Sequence, residues 1–489
     1  MTGGHGVYER SSVERDGTTY FLARPEAAKA KLLGVDGDAN GFEEAHSVEE
    51  GVPFFPLTSA NAAALRSRLS WLHPTPLGLR TSAGFGDRLG LATPGHVRAV
   101  REVAGEDRRI APIFAQQSVR ENSRTGRAPQ QVLDDAMWGL FEEGWQEPWG
   151  ADADHLKTPS DADTFADTGY TFFTVDPGDH VDDAAQTTAR SDLETKVQAL
   201  PWALLEDTQH DLERRYLGVS LPVGGHDQQI GREHLLRAAA KYGRAVGHTV
   251  TMYRHLSSRM GDREFDLELS VDETETTTSV VEHFYIASEL RRLGVRWVSL
   301  APRFVGSFEK GVDYIGDLDI FSAEFSRHAA VARELGPYKL SLHSGSDKFS
   351  IYGIAARLTG SDSAAHPGAL VHLKTAGTSY LEALRTVARV NPRLFLEILA
   401  FSRDRYETDR ATYHVSAQLD KVPHPGTLSE GELPGLLEHF DTRQALHVTY
   451  GSVLAEFAEQ LETTLREHEE DHYTFLQSHF VRHLRPFVE

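Results

Sequence analysis

Eight short segments of this chain each run a β-rich stretch straight into a cluster of polar, charged or glycine residues. They are Leu77–Arg88, Ile110–Arg120, Gly150–Thr158, Tyr170–Asp179, Phe265–Glu275, Val295–Arg303, Tyr338–Lys348 and Leu370–Tyr380. Most follow one another at the spacing of βα units of about 30 residues. Residues 130–144, 280–293 and 321–335, which fall between them, carry apolar positions at helical spacing. The alternation predicts an α/β chain, a (β/α)8 barrel of the TIM type. In that architecture the C-terminal ends of all the strands meet at one mouth, where the chemistry occurs. Histidines and carboxylates scattered from Asp152 to His372 would then share a single pocket.

The barrel is expected over residues 76–390. Residues 1–75 read as an N-terminal extension that closes or buttresses it, with a helix around Ala60–Leu72. A helical insertion is expected at about 180–262, notably at Leu193–Leu217 and Arg232–Met260, where it would partly cover the mouth. Residues 391–489 read as a helical C-terminal extension ending in Val453–Leu465 and Asp471–Leu484.

Composition narrows the function. The net charge of −22 argues against a nucleic-acid partner, which needs clustered Lys and Arg. No apolar run is long enough to cross a bilayer, and the first residues lack the pattern of a secretory signal. Cysteine is absent, which removes thiolate metal sites and cysteine nucleophiles and suits a cytoplasmic enzyme. Local Arg and Lys at the strand ends, Arg88, Lys157 and Lys374 among them, leave room for an anionic sugar acid or sugar phosphate. Self-association is open, since uncovered barrel flanks often pair.

Three segments carry the chemistry. In WGADADHLKT, Asp152 and Asp154 share a face, and relaxation at the strand end would let Asp154 and His155 both address the pocket. In FDLELSVDETET, Asp266, Glu268, Ser270 and Asp272 alternate toward the barrel interior, where uncompensated polar groups are costly. Glu273 follows at the rim. YKLSLHSGSDK and LVHLKTAGTSY place His343 and His372 at what reads as matching positions on consecutive strands. Three histidines with an open position would make a site for Zn, Mn, Co or Ni. Other signals fail: SAGFGDRLG displaces the third glycine of a dinucleotide fingerprint, so no nicotinamide is expected. DGDANG at 36–41 lacks the final acidic ligand of a calcium loop and reads as a turn.

The strings FGDRLGLATPGH (85–96), FAQQSVRE (114–121), GADADHLKT (150–158), SVDETE (270–275), LAPRFVGSFEKGVDYIGD (300–317) and HSGSDKFSIYG (343–353) resemble the tagaturonate/fructuronate epimerase family. That resemblance implies a metal-dependent epimerase inverting C4 of a ketohexuronate. It implies one divalent metal ion on His155, His343 and His372, with Asp154 and a carboxylate of SVDET, Glu273 over Asp272, as proton carriers. Gln116, Arg88, Lys157 and Lys374 would bind the substrate. The competing readings are a metal-dependent aldolase or ketose 3-epimerase on the same barrel, a glycoside hydrolase using carboxylates such as Glu268 and Glu309, and a carbohydrate-binding protein without turnover.

Overall fold

Each polar-ended segment forms a strand, and the eight strands close on themselves as one parallel barrel. In this computed structural model, which describes residues 6–24, 30–104, 110–223, 226–361 and 368–489, they are β1 (Ser82–Phe85), β2 (Ala111–Ser118), β3 (Gly150–Leu156), β4 (Phe172–Val175), β5 (Asp266–Ser270), β6 (Ser299–Ala301), β7 (Lys339–Leu342) and β8 (Val371–Thr375). The ring closes where β8 pairs with β1. Burial on both faces accounts for the near absence of exposed residues along these strands, as a parallel sheet sheathed in helices requires.

The sheathing helices follow the strands in turn: α1 (Thr93–Ala104), α2 (Pro129–Glu142), α3 (Pro159–Thr168), α4 (Arg232–Met260), α5 (Val280–Arg292), α6 (Leu318–Leu335), α7 (Phe349–Thr359) and α8 (Thr378–Val390). Their starts are chemically marked. Thr158 accepts from the Asp161 amide at the head of α3, and Ser279 and Glu282 form a reciprocal capping box at the head of α5.

The interval between β4 and β5 is less of an insertion than its sequence suggests. Its long helix α4 packs between α3 and α5 as an ordinary barrel helix. The added material consists of helices Arg190–Gln198 and Gln209–Tyr216 and a hairpin, Ser220–Val223 with His226–Gln229. None of its described residues lines the two spaces of the mouth. Its contribution there is Asp183, whose carboxylate accepts from the Glu275 and Thr276 amides (3.0 and 3.2 Å) and braces the loop after β5.

At the N-terminus an antiparallel sheet of six strands, from Gly6–Val7 to Val52–Pro56, precedes helix Ser59–Arg68. Tyr20, Leu33, Phe55 and Leu65 of this unit pack on Met137, Trp138 and Phe141 of α2. The DGDANG stretch is a turn, with Asp38 accepting from the Asn40 amide at 3.0 Å. After α8 come α9 (Pro392–Asp409), α10 (Phe440–Val448), α11 (Tyr450–Glu467) and α12 (Glu469–Leu484). α9, α10 and α11 share a second core with α8, whereas α12 joins the barrel core and lies against α1 with Phe480 on the rings of Phe85 and His96. No described helix is long and apolar enough to cross a membrane.

Candidate active site

The mouth owes its geometry to an irregularity in β3. The pairing of β3 with β4 shifts register between Phe173 and Val175, so that Asp154 and His155 together oppose a single residue. His155 takes a left-handed backbone conformation (φ 53°). A bulge of this kind re-aims side chains. Asp154 and His155 consequently both reach the pocket, as the relaxed strand end suggested.

His155 is held at both ring nitrogens. Nδ1 lies 3.1 Å from Asp176 Oδ2 at the end of β4, and Nε2 lies 2.8 Å from His343 Nε2 at the end of β7. Asp154 Oδ1 is 3.3 Å from the same His343 nitrogen. With Asp176 taking the Nδ1 proton, the His155 Nε2 lone pair points at His343. Two imidazole nitrogens and a carboxylate oxygen thus converge within 4.8 Å of one another. Glu273 approaches His155 Nε2 to 3.9 Å from the rim and pairs with Arg120 at 2.9 Å.

Beneath this cluster Lys374 Nζ lies 2.7 Å from Asp154, 2.9 Å from Asp152 and 2.9 Å from Glu268. Burial disfavours its charge, but these carboxylates outweigh burial and hold the ammonium protonated far above its ordinary range. Asp154 would be raised by burial, yet Lys374 and the two histidines hold it well below the usual carboxylate range. Asp152 moves the other way, pushed up to about 7 by burial and by its acidic neighbours. His343 is driven up to about 10 against its own burial, chiefly by Asp272 and, less, by Asp154.

His372 stands apart from this group. The β7–β8 register pairs His372 with Ser341, so His343, two residues further on, is level with Lys374 instead. His372 is fully buried one layer deeper, with Nδ1 2.9 Å from Ser82 Oγ and its ring 5.1 Å from that of Phe172. Burial takes its pKa down to about 3.

The cleft above the cluster, of about 600 Å³, is lined by Gln116, Asp154, His155, His343, Lys310 and Tyr413 among others. A space of about 860 Å³ adjoins it, flanked by Asp272, Glu273 and the loop after β6. Gln116 is buried with neither amide atom hydrogen-bonded, and it fits because Gly84 has no side chain: a Cβ there would fall 2.5 Å from Gln116 Oε1. Arg88 lines the cleft but is engaged by Glu121 (2.8 and 2.9 Å) beneath the Tyr450 ring. Lys157 pairs with Asp179 at 2.9 Å on the surface and lines neither space. Of the carboxylates a hydrolase would use, Glu268 is locked to Lys374 and Glu309 accepts from Ser416 and Gln444.

Sequence reasoning missed Asp176, although it ends a strand like the other site residues. It also missed Lys310 in the loop after β6. Tyr413 and His414 come from the C-terminal extension, where no local pattern marks them.

The tagaturonate epimerase family model matches residues 8–487. The chain belongs to the tagaturonate epimerase family. A tagaturonate/fructuronate epimerase of Thermotoga maritima is 44% identical over 488 residues, covering 98% of this chain and 96% of that protein. Crystal structures of the fructuronate-tagaturonate epimerase of Cohnella laeviribosi, native and with one glycerol, each align with a TM-score of 0.91 at 36% identity, over 99% of this chain and 96% of the other. As a member of the tagaturonate epimerase family the chain is an epimerase, an enzyme of the isomerase class.

Proposed function

We propose that this enzyme interconverts D-tagaturonate and D-fructuronate by inverting C4, with one divalent metal ion bound at the mouth. The observation that carries the metal is the convergence of His155 Nε2, His343 Nε2 and Asp154 Oδ1, with His155 Nδ1 fixed by Asp176. Metal-ligating histidines characteristically donate their other N–H to a carboxylate, which sets the tautomer and raises ligand basicity. A two-nitrogen, one-oxygen donor set suits Zn, Mn, Co or Ni. We assign the metal to His155, His343 and Asp154; His372, a layer deeper and bonded to Ser82, leaves that set.

C4 lies β to the C2 ketone, so its hydrogen is not acidified by the carbonyl. Inversion is instead reached by retro-aldol cleavage. The C4 hydroxyl loses its proton and C4 becomes an aldehyde; the C3–C4 bond breaks and its electron pair passes to an enediolate over C2 and C3. The aldehyde rotates, and re-addition to its other face restores the bond with C4 inverted. A bound divalent ion supplies Lewis acidity toward the C2 and C3 oxygens. Glu273, ionised and at the rim, accepts the C4 hydroxyl proton, and Asp272, which also faces the cleft, serves the opposite face. In the reverse direction they exchange roles. Positioned groups of this kind contribute about 10²–10⁴-fold each. Gln116, with an unengaged buried amide, is placed to hold a sugar hydroxyl.

The test is incubation of metal-loaded and chelated protein with D-fructuronate labelled with deuterium at C4, products being resolved by NMR. Metal-dependent D-tagaturonate that keeps its C4 deuterium is expected. Solvent hydrogen at C4 would sink the retro-aldol route, and no product with any divalent ion would sink the substrate assignment.

A further inference from the structure

We propose that Lys310 is the side chain that holds the substrate's carboxylate. The inference rests on the sugar-acid reading above and deepens it. A mouth crowded with Asp154, Asp272 and Glu273 repels an anion unless a cation nearby is uncommitted. The cations first considered for this task are spoken for: Arg88 by Glu121, Lys157 by Asp179, and Lys374 by three carboxylates. Arg120 pairs with Glu273, Arg124 binds the Tyr413 hydroxyl, and Lys348 donates to the carbonyls of Glu309, Val312 and Ser346.

Lys310 differs. Its Nζ donates to Ser344 Oγ at 3.0 Å, and among the described residues no carboxylate lies within 4.0 Å of it. It is half-buried and lines both spaces of the mouth, as His343 does. Ser344, its one partner, directly follows His343, so an anion on Lys310 lies beside the proposed metal-binding end of the cleft.

Its neighbours in the chain are fixed, and Nζ itself is held by Ser344 without a carboxylate partner among the described residues. The Glu309 carboxylate accepts from the Ser416 amide (2.9 Å), the Ser416 hydroxyl (2.7 Å) and Gln444 (2.8 Å). The Glu309 carbonyl accepts from Lys348 at 2.8 Å, and the Gly311 carbonyl from Arg443 at 2.6 Å. A backbone clamped on both sides of a free ammonium is preorganised for an anion, because the entropy of placing the charge is already spent.

The experiment is calorimetric binding of D-fructuronate and of D-fructose, which carries CH2OH in place of the carboxylate, to metal-loaded wild type, Lys310→Met and Lys310→Arg. Loss of a charged hydrogen bond predicts that Lys310→Met weakens D-fructuronate binding about 10- to 100-fold while D-fructose affinity changes less than about threefold. Lys310→Arg should retain most of the preference for the acid. The proposal is overturned if Lys310→Met keeps that preference, if both ligands weaken equally, or if wild type shows no preference. Lys310-dependent binding without C4 inversion would sink the epimerase reading and leave the anchor standing; C4 inversion with the preference intact in Lys310→Met would do the reverse.

Discussion

Among the described residues, two places gather an aspartate and two histidines within 4.8 Å: Asp154, His155 and His343 at the barrel mouth, and Asp347, His479 and His483 between the end of β7 and α12. His343 and Asp347 lie four residues apart in the same short segment, yet they serve opposite ends. In the second cluster His479 Nε2 meets Asp347 Oδ1 at 2.8 Å, His483 Nε2 accepts the Asp347 amide at 3.0 Å, and His483 Nδ1 meets the His479 carbonyl at 3.1 Å. Arg443 already supplies the cation, 3.0 Å from Asp347 Oδ2. Every member is buried. At the mouth, by contrast, the Nε2 atoms of His155 and His343 face each other at 2.8 Å beside open space. On the proposed assignment, residue types alone do not make a metal site; the direction of the donor atoms and access do.

Substitutions can break this distinction. His155→Ala and His343→Ala should each lower kcat/KM by more than the 10- to 100-fold typical of losing an outer partner, and should lower bound metal, read by elemental analysis, with little change in thermal unfolding. If His479→Ala removed as much metal, the two clusters would have been wrongly told apart.

Asp347→Ala should act on stability instead. It takes from Arg443 its shorter carboxylate contact and leaves Glu382 at 3.7 Å, so the cost in denaturant unfolding should fall at or below the roughly 3–5 kcal/mol of a broken buried pair. Asp347 is held well below the ordinary 3.8: burial would raise it, but Arg443, His479 and His483 prevail. The stability it confers is therefore complete above its unfolded pKa and is lost as pH falls below 3.8 toward the depressed native value. Asp347→Asn should flatten that acid limb. An unchanged acid limb would mean the carboxylate's charge contributes nothing.

Asp176→Asn leaves the ligands in place but loosens the His155 tautomer, so metal affinity should fall about 10- to 100-fold. His372→Gln should have the smallest effect on the metal, with unchanged stoichiometry and a modest loss of stability of about 1–3 kcal/mol from the broken Ser82 bond. A loss of metal in His372→Gln would return His372 to the ligand set.

The barrel was legible because each strand is short, alternates or runs apolar, and ends in polar residues, a signature that survives without any contact information. The N-terminal sheet lacked that signature, since its strands are brief and separated by turns. Alternation correctly placed Glu268, His343, His372 and Lys374 on the interior face. It could not give depth: the one offset that separates His372 from His343 is set by how β7 pairs with β8, and neither strand encodes that alone. The bulge that turns His155 inward is likewise a property of two strands. Glu309, Ser416 and Gln444 meet only because the C-terminal extension folds back onto the loop after β6.

That last feature bears on the order in which the enzyme comes into being. Once Thr375 has left the ribosome, all the strands of the barrel exist and the ring can close. The mouth is still unfinished, because Ser416, Arg443 and Gln444, which clamp the loop carrying Lys310, have yet to follow. His479 and His483, which fasten α12 to the end of β7, arrive later still. A barrel-only nascent chain therefore lacks the contacts that hold the loop after β6 and the end of β7, and it acquires them in that order.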